Sequence, residues 1–364
     1  MSTKARAAIF IETNKPLVVD EVEFPDPGPD QVLVKLFASG ICHSQLHTMH
    51  RPPRPGHRLP ALLGHESTGI VAKLGSAVKH VKEGDHVITT WVDRNNATTT
   101  QPLLAHALND RAQYNALWKG KEVMHSAATW AEFALAQERV VLPIPNDVAT
   151  DITAIIGCAV MTGAGSIINT LQVRPGESVA VFGAGGIGLC AVRAAAIVDA
   201  YPIIAVDVID DKLSFAKRMG ATHTINGRTV DAVKAIQEMT QGGVDYAIDA
   251  VGLPQTQEQI LRAVRVGHSG LSRGGTALLI GLTPAGAKVA LDTSLFAGSR
   301  SFTRTSGGDC RPERDFPLFL RWHREGKLKL DELVTDRYNL DQINDAVEDL
   351  KNGRILGRGI LNYS

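Results

Sequence analysis

The sequence predicts an α/β protein: a doubly wound parallel sheet joined to a mostly β, barrel-like domain. Three observations carry this. From about residue 150, short apolar runs such as SVAVFG and IIAVD alternate with helix-length segments, as in a parallel sheet with crossover helices. Before that point the chain breaks into short strand-like runs split by Gly, Pro and charged turns, as in a small barrel. At 364 residues the chain is long enough for two packed domains, each with its own core.

In order, residues 5–40 carry alternating apolar runs, the turn-rich FPDPGPD and the strand-like QVLVKLFASG. ALLGHESTGIVAKLGSAVKHVKEGDHVITTW continues the short strands. Residues 92–129, with RNNATTTQ and little periodicity, read as a surface insertion or lobe. A helix-like stretch, Asp151 to Leu171, then precedes SVAVFG, a Gly-rich turn, an Ala-rich helix and IIAVD. Strands follow at THTIN, VDYAIDAVG and TALLIG, a helix at DFPLFLRWHREGKLKL, and a short strand-helix-strand tail.

Thirty-eight Lys and Arg balance 38 Asp and Glu, so no charged surface for nucleic acid or membrane is expected, and small neutral partners fit better. Met1 to Phe10 lacks the basic and apolar stretches of a signal peptide, and no run is long enough to span a bilayer, which leads us to expect a cytoplasmic protein. Cys42, Cys158, Cys190 and Cys310 are scattered without the spacing of a disulfide framework and read as free thiols or metal ligands.

Gly183, Gly185 and Gly188 form G-A-G-G-I-G after a strand and at the start of a helix, where backbone amides and the helix dipole receive a pyrophosphate. The next strand ends in Asp207, roughly 20 residues on, where a carboxylate binds ribose hydroxyls. A plain tight turn with Asp207 capping a helix would share these letters; the combination favours a dinucleotide in a Rossmann domain. The acid repels the extra phosphate of NADP, and Val208 and Ile209 bring no Arg, so NAD is expected.

Ahead of this domain stand GICHSQLH (Gly40 to His47), GHES (Gly64 to Ser67) and GCAVMTGAGS (Gly157 to Ser166). Two thiolates and an imidazole suit zinc, and three protein ligands with one open position make a catalytic site. Each Cys taken singly also reads as a small buried apolar residue.

With these motifs in this order, the chain resembles the medium-chain, zinc-dependent alcohol dehydrogenases nearly end to end. The resemblance implies zinc ligands at Cys42, His65 and Cys158, with Glu66 close to the metal. It implies that Ser44 bonds the alcohol and that His47 ends a proton relay to solvent, a task its near-neutral pKa suits. Cofactor contacts are implied at His43, Thr162, Gly183, Gly185, Gly186, Ile187 and Gly188, and at Asp207, Lys212 and Arg358, the last two near the adenosine ribose and pyrophosphate. Domains 1–158 with 306–364 (catalytic) and 159–305 (NAD-binding) go with it, as does a homodimer or homotetramer.

Two departures from the family pattern stand out. No Cys lies between Cys42 and Cys158, so the four-Cys structural zinc is expected to be absent, leaving one zinc per chain. The acid that commonly supports the ligand His, three residues after the first Cys, is here Gln45. Trp91 falls where the family places an aromatic pocket wall, with Met124 near the facing segment; packing between barrel and lobe is the alternative for Trp91.

The expected activity is NAD-dependent oxidation of an alcohol, or reduction of its aldehyde or ketone. A zinc-less quinone- or enone-type reductase of the same fold, and an NAD-binding protein with little turnover, are the competing readings. The complete ligand set argues against both.

Overall fold

A computed structural model describes residues 2–51, 58–95, 114–125, 128–268, 272–284 and 286–363. The chain divides into two compact units: Met1–Cys158 with Arg311–Phe319 and Leu330–Ser364, and Ala159–Cys310 with Leu320–Lys329. The architecture is α/β, with a parallel sheet in one unit and antiparallel β-structure dominating the other.

The first unit opens with β1 (Thr3–Phe10), β2 (Val18–Phe24) and β3 (Gln31–Gly40), followed by the short helix α1 (His43–Met49). Then come β4 (Ala61–Leu62), β5 (Ser67–Leu74), β6 (His86–Thr89), β7 (Tyr114–Trp118), β8 (Lys121–His125), β9 (Phe133–Gln137) and β10 (Val141–Pro143). Strands β1, β2, β7, β8 and β4 close a barrel. Alternation puts Ala5, Ala7 and Ile9 on one face of β1, packed against Val22, Phe24, Ala116 and Val123, which is why this text folds as strand.

The segment read as a surface insertion or lobe contributes two strands to the barrel. Its residues 114–118 and 121–125 are two barrel strands, paired antiparallel through a turn at Lys119 and Gly120, both at positive φ. Residues 96–113 and 126–127 of that segment lie outside the described residues.

In the second unit, α2 (Ala159–Gly165) leads through a π-helical turn, Ser166–Thr170, to β11 (Val179–Phe182) and α3 (Gly186–Ile197). The stretch expected as one helix, Asp151 to Leu171, is thus three: a 3-10 turn over Ile152–Gly157, α2 and the π-turn. Gly157, Gly163 and Gly165 weaken a continuous helix, and Ser166 Oγ donates back to the Thr162 carbonyl at 2.6 Å. The unit continues through β12 (Ile203–Asp207), α4 (Asp210–Met219), β13 (His223–Asn226), α5 (Ala232–Thr240), β14 (Tyr246–Asp249), α6 (Pro254–Ala263), β15 (Thr276–Leu279) and β16 (Ser301–Arg304).

These six strands form one parallel sheet in the order β13-β12-β11-β14-β15-β16. Its central strands are buried apolar runs: Ala180, Phe182, Ile204 and Val206 on one face pack with Ile236, Ile260 and Leu261, and Val179, Val181, Ile203 and Ala205 on the other face are buried too.

The chain ends with α7 (Pro312–Arg324), α8 (Leu330–Leu333), β17 (Val334–Tyr338), α9 (Ile343–Lys351) and β18 (Arg358–Asn362). Strand β18 pairs antiparallel with the end of β3, returning the C-terminus to the first unit. The seven-stranded sheet there runs β10-β6-β5-β3-β18-β17, with β9 also on β3.

Candidate active site

Three chain segments of the first unit meet at one point. Cys42 follows β3 as the N-cap of α1, and its carbonyl accepts from Gln45 N–H at 3.0 Å. Leu46 and Met49 of α1 pack in one cluster with Ile343 and Val347 of α9, which fixes the helix and so the direction of Cys42. His65 and Glu66 lie between β4 and β5, where Gly40 N–H donates to the Glu66 carbonyl at 3.1 Å. A Cβ on Gly40 would run into the Glu66 side chain, so the close approach of β3 requires glycine. Cys158 follows the 3-10 turn, and Thr90 Oγ1 donates to the preceding Gly157 carbonyl at 2.7 Å.

The donor atoms of Cys42, His65, Glu66 and Cys158 all lie within 4.8 Å of one another. A tetrahedral zinc with bonds of about 2.0 to 2.3 Å spaces its ligand atoms roughly 3.3 to 3.8 Å apart. His65 Nε2 and Cys158 Sγ are already 3.3 Å apart. Two thiols, an imidazole and a carboxylate so placed suit a zinc ion, and this is the only such group among the described residues.

The two thiols do not behave alike. A hydrogen bond shared with Cys158, aided by the charge of Arg358, holds the Cys42 thiol well below its usual value. The same bond, together with burial, pushes Cys158 well above. A cation binding both would displace both protons. Behind them, the Arg358 guanidinium bonds the Glu66 carboxylate, both side chains buried. Burial raises the Glu66 pKa and Arg358 opposes that rise.

Arg358, for which the resemblance implies a nucleotide contact, also bonds Glu66 of the donor cluster, and its Nε is buried without a partner. Gln45 faces His65, its Nε2 2.6 Å from Nδ1. Ser44 and His47 lie on one face of α1, and Ser44 Oγ is buried without a partner, available to a bound group. Burial, and then the charge of Arg51, lowers the His47 pKa. His43 is exposed at the start of α1. Trp91 is half-buried just past β6 with its indole N–H unpartnered, and Met124 sits on β8 beside Ala61. Spacing gave no hint of the Thr90 bond to Gly157 that supports Cys158, since a Thr next to a strand end carries no motif.

The second unit holds the remaining candidates. Gly183 has φ +98, and a Cβ on Gly188 would strike the Gly183 carbonyl, so this turn closes only with glycine at both places. Gly185 is the N-cap of α3, and no side chain caps the first turn of Gly186, Ile187 and Gly188. Its amides suit an anion. Asp207 ends β12; its Oδ2 accepts Ala184 N–H at 2.7 Å, and its Oδ1 accepts Val208 and Ile209 N–H at 2.7 and 3.1 Å. Lys212 is buried on α4, and Thr162 on α2 has its Oγ1 buried and unpartnered.

Donor atoms placed to hold a metal in antiparallel β-structure, together with a glycine turn in a parallel sheet, are the features of a metal-binding dehydrogenase. Family models agree: residues 28–146 match the alcohol dehydrogenase GroES-like domain and 186–325 the zinc-binding dehydrogenase domain. The chain is 30% identical to an S-(hydroxymethyl)glutathione dehydrogenase of Paracoccus denitrificans over 99% of its own length and 100% of the relative's. It is 31% identical to an alcohol dehydrogenase class-3 of Cereibacter sphaeroides over 95% and 96%. Its fold matches a benzyl alcohol dehydrogenase of Acinetobacter calcoaceticus with TM-score 0.88 at 30% identity, covering both chains fully. An alcohol dehydrogenase zinc-binding domain protein of Burkholderia ambifaria matches with TM-score 0.89 at 32% identity, again over both chains in full. The protein belongs to the medium-chain, zinc-dependent alcohol dehydrogenase family. Among the described residues no helix is long and apolar enough to cross a membrane.

Proposed function

We propose that this chain interconverts an alcohol and its aldehyde or ketone with NAD at one catalytic zinc. The observation that carries the reading is the convergence of Cys42, His65 and Cys158, with Glu66, in one cluster of donor atoms. Zinc there supplies a Lewis acid that lowers the pKa of a bound hydroxyl. NAD supplies the hydride acceptor.

The chain's own residues do the rest. Cys42, His65 and Cys158 hold the metal, and their two negative charges bring the site near neutrality, which favours an uncharged substrate. Ser44 Oγ, unpartnered, would accept the alcohol proton while giving up its own, and His47, whose pKa burial lowers, would pass a proton to solvent. Asp207 bonds the adenosine ribose and repels a phosphate there; the α3 amides take the pyrophosphate, with His43, Thr162, Lys212 and Arg358 as further contacts. The catalytic domain is assigned to residues 1–158 and 306–364 and the NAD-binding domain to 159–305, although 306–310 and 320–329 pack within the second compact unit. Trp91 and Met124 line the substrate side. The cytoplasm suits metal-ligating free thiols, and a homodimer or homotetramer follows from the family resemblance alone.

An NAD-coupled screen of primary, secondary and aromatic alcohols on protein of measured zinc content tests this. The names of the relatives put benzyl alcohol and S-(hydroxymethyl)glutathione first in the panel. Zinc-loaded protein that turns over none of them, yet reduces enones, would replace the reading with the reductase alternative.

A further inference from the structure

The Gln45 amide faces two groups at once. Its Nε2 lies 2.6 Å from His65 Nδ1, and its Oε1 accepts from the Gly64 backbone N–H at 3.3 Å. The other imidazole nitrogen, His65 Nε2, faces Cys158 Sγ at 3.3 Å and is the atom turned toward the donor cluster. An imidazole that gives Nε2 to a cation carries its proton on Nδ1.

Two N–H donors then point at the two ends of one amide, which has a single acceptor end. With Oε1 on Gly64, the amide NH2 opposes Nδ1–H. With the amide turned over, Oε1 takes Nδ1–H and the NH2 opposes the buried Gly64 N–H. Either arrangement leaves a donor facing a donor. A carboxylate of the same length accepts both.

We infer that Gln45 is a positioning residue that weakens this chain's grip on its zinc, because a metal on His65 Nε2 forces the amide away from Gly64. The inference rests on the proposed zinc site. It extends that site by a coupling: metal binding at His65 is linked to the hydrogen bond of a backbone amide one residue before it.

Zinc dissociation constants, measured by competition with a chromophoric chelator, compare the unmodified protein with Gln45→Glu, thermal melting showing that the variant folds. The expected result is tighter zinc in Gln45→Glu by about 10 to 100-fold. Hydrogen exchange at the Gly64 amide of the unmodified protein gives a second readout that needs no variant: protection is expected without zinc and lost when zinc is added. Equal or weaker zinc binding by folded Gln45→Glu, or equal Gly64 protection with and without zinc, overturns the inference and leaves the zinc site standing. An unmodified protein that binds no zinc overturns the site itself, and the inference with it.

Discussion

Arg358 lays its guanidinium on the carboxylate of Glu66, and both side chains are buried behind the thiols of Cys42 and Cys158. The two are far apart in sequence, Arg358 at the start of β18 and Glu66 just before β5, and each buried charge is compensated by the other. Arg358→Met is expected to remove the guanidinium that bonds the buried Glu66 carboxylate and to cost about 3 to 5 kcal/mol. Adding Glu66→Gln should recover much of that loss. Chemical denaturation of the two single variants and the double variant measures the coupling; additive losses would mean that the pair does not interact.

Removing any one of Cys42, His65 or Cys158 as Ala is expected to remove metal and turnover together, since three ligands leave no redundancy. Metal analysis of the unmodified protein should give one zinc per chain. A chelator should lower its melting temperature, and zinc at a thousandfold its dissociation constant should restore about 4 kcal/mol. Two tightly held zincs per chain would contradict the sequence expectation of a single site.

NAD is expected to be preferred over NADP by at least about tenfold in kcat/KM. Like charges a few ångströms apart near a protein surface repel by more than the ~1.4 kcal/mol that a factor of ten needs. Kinetics with both cofactors decide the matter; equal use would show that Asp207 does not face the ribose.

His86 sets an acid limit on stability. Its ring is buried, lies edge-on to Phe37 and is 3.0 Å from Thr68 Oγ1, and burial lowers its pKa below 6.5. The unfolded chain therefore takes up a proton before the folded one does. Stability from this group is complete above about pH 6.5 and is lost as pH falls through the lower folded value. Melting temperatures of the protein and of His86→Gln across that window should converge as pH falls; parallel curves would remove His86 as the cause.

The fold was legible wherever one signal was strong. SVAVFG and IIAVD became β11 and β12 because buried parallel strands are continuous apolar runs. The motifs GIC, GHE and GC were legible because each sits at an element end, and the fold brings Cys42, His65 and Cys158 into one cluster. Strands β7 and β8 were not legible. Each is five residues long, and their turn uses Lys119-Gly120 rather than the Asn-Gly or Asp-Gly that marks such hairpins. The position of Arg358 against Glu66 was hidden for another reason: strand register across β3, β5 and β18, not spacing, decides which side chains share a face.

The three hydrogen bonds from Ala184, Val208 and Ile209 to the Asp207 carboxylate have an evolutionary consequence. A single side chain carries both the proposed choice of nucleotide and the closure of the glycine turn, so the two traits are pleiotropic. A drift toward NADP that begins by neutralising Asp207 would first loosen the turn proposed to seat the cofactor. Such a lineage would need a compensating acceptor for Ala184 before, or together with, a new cation for the phosphate.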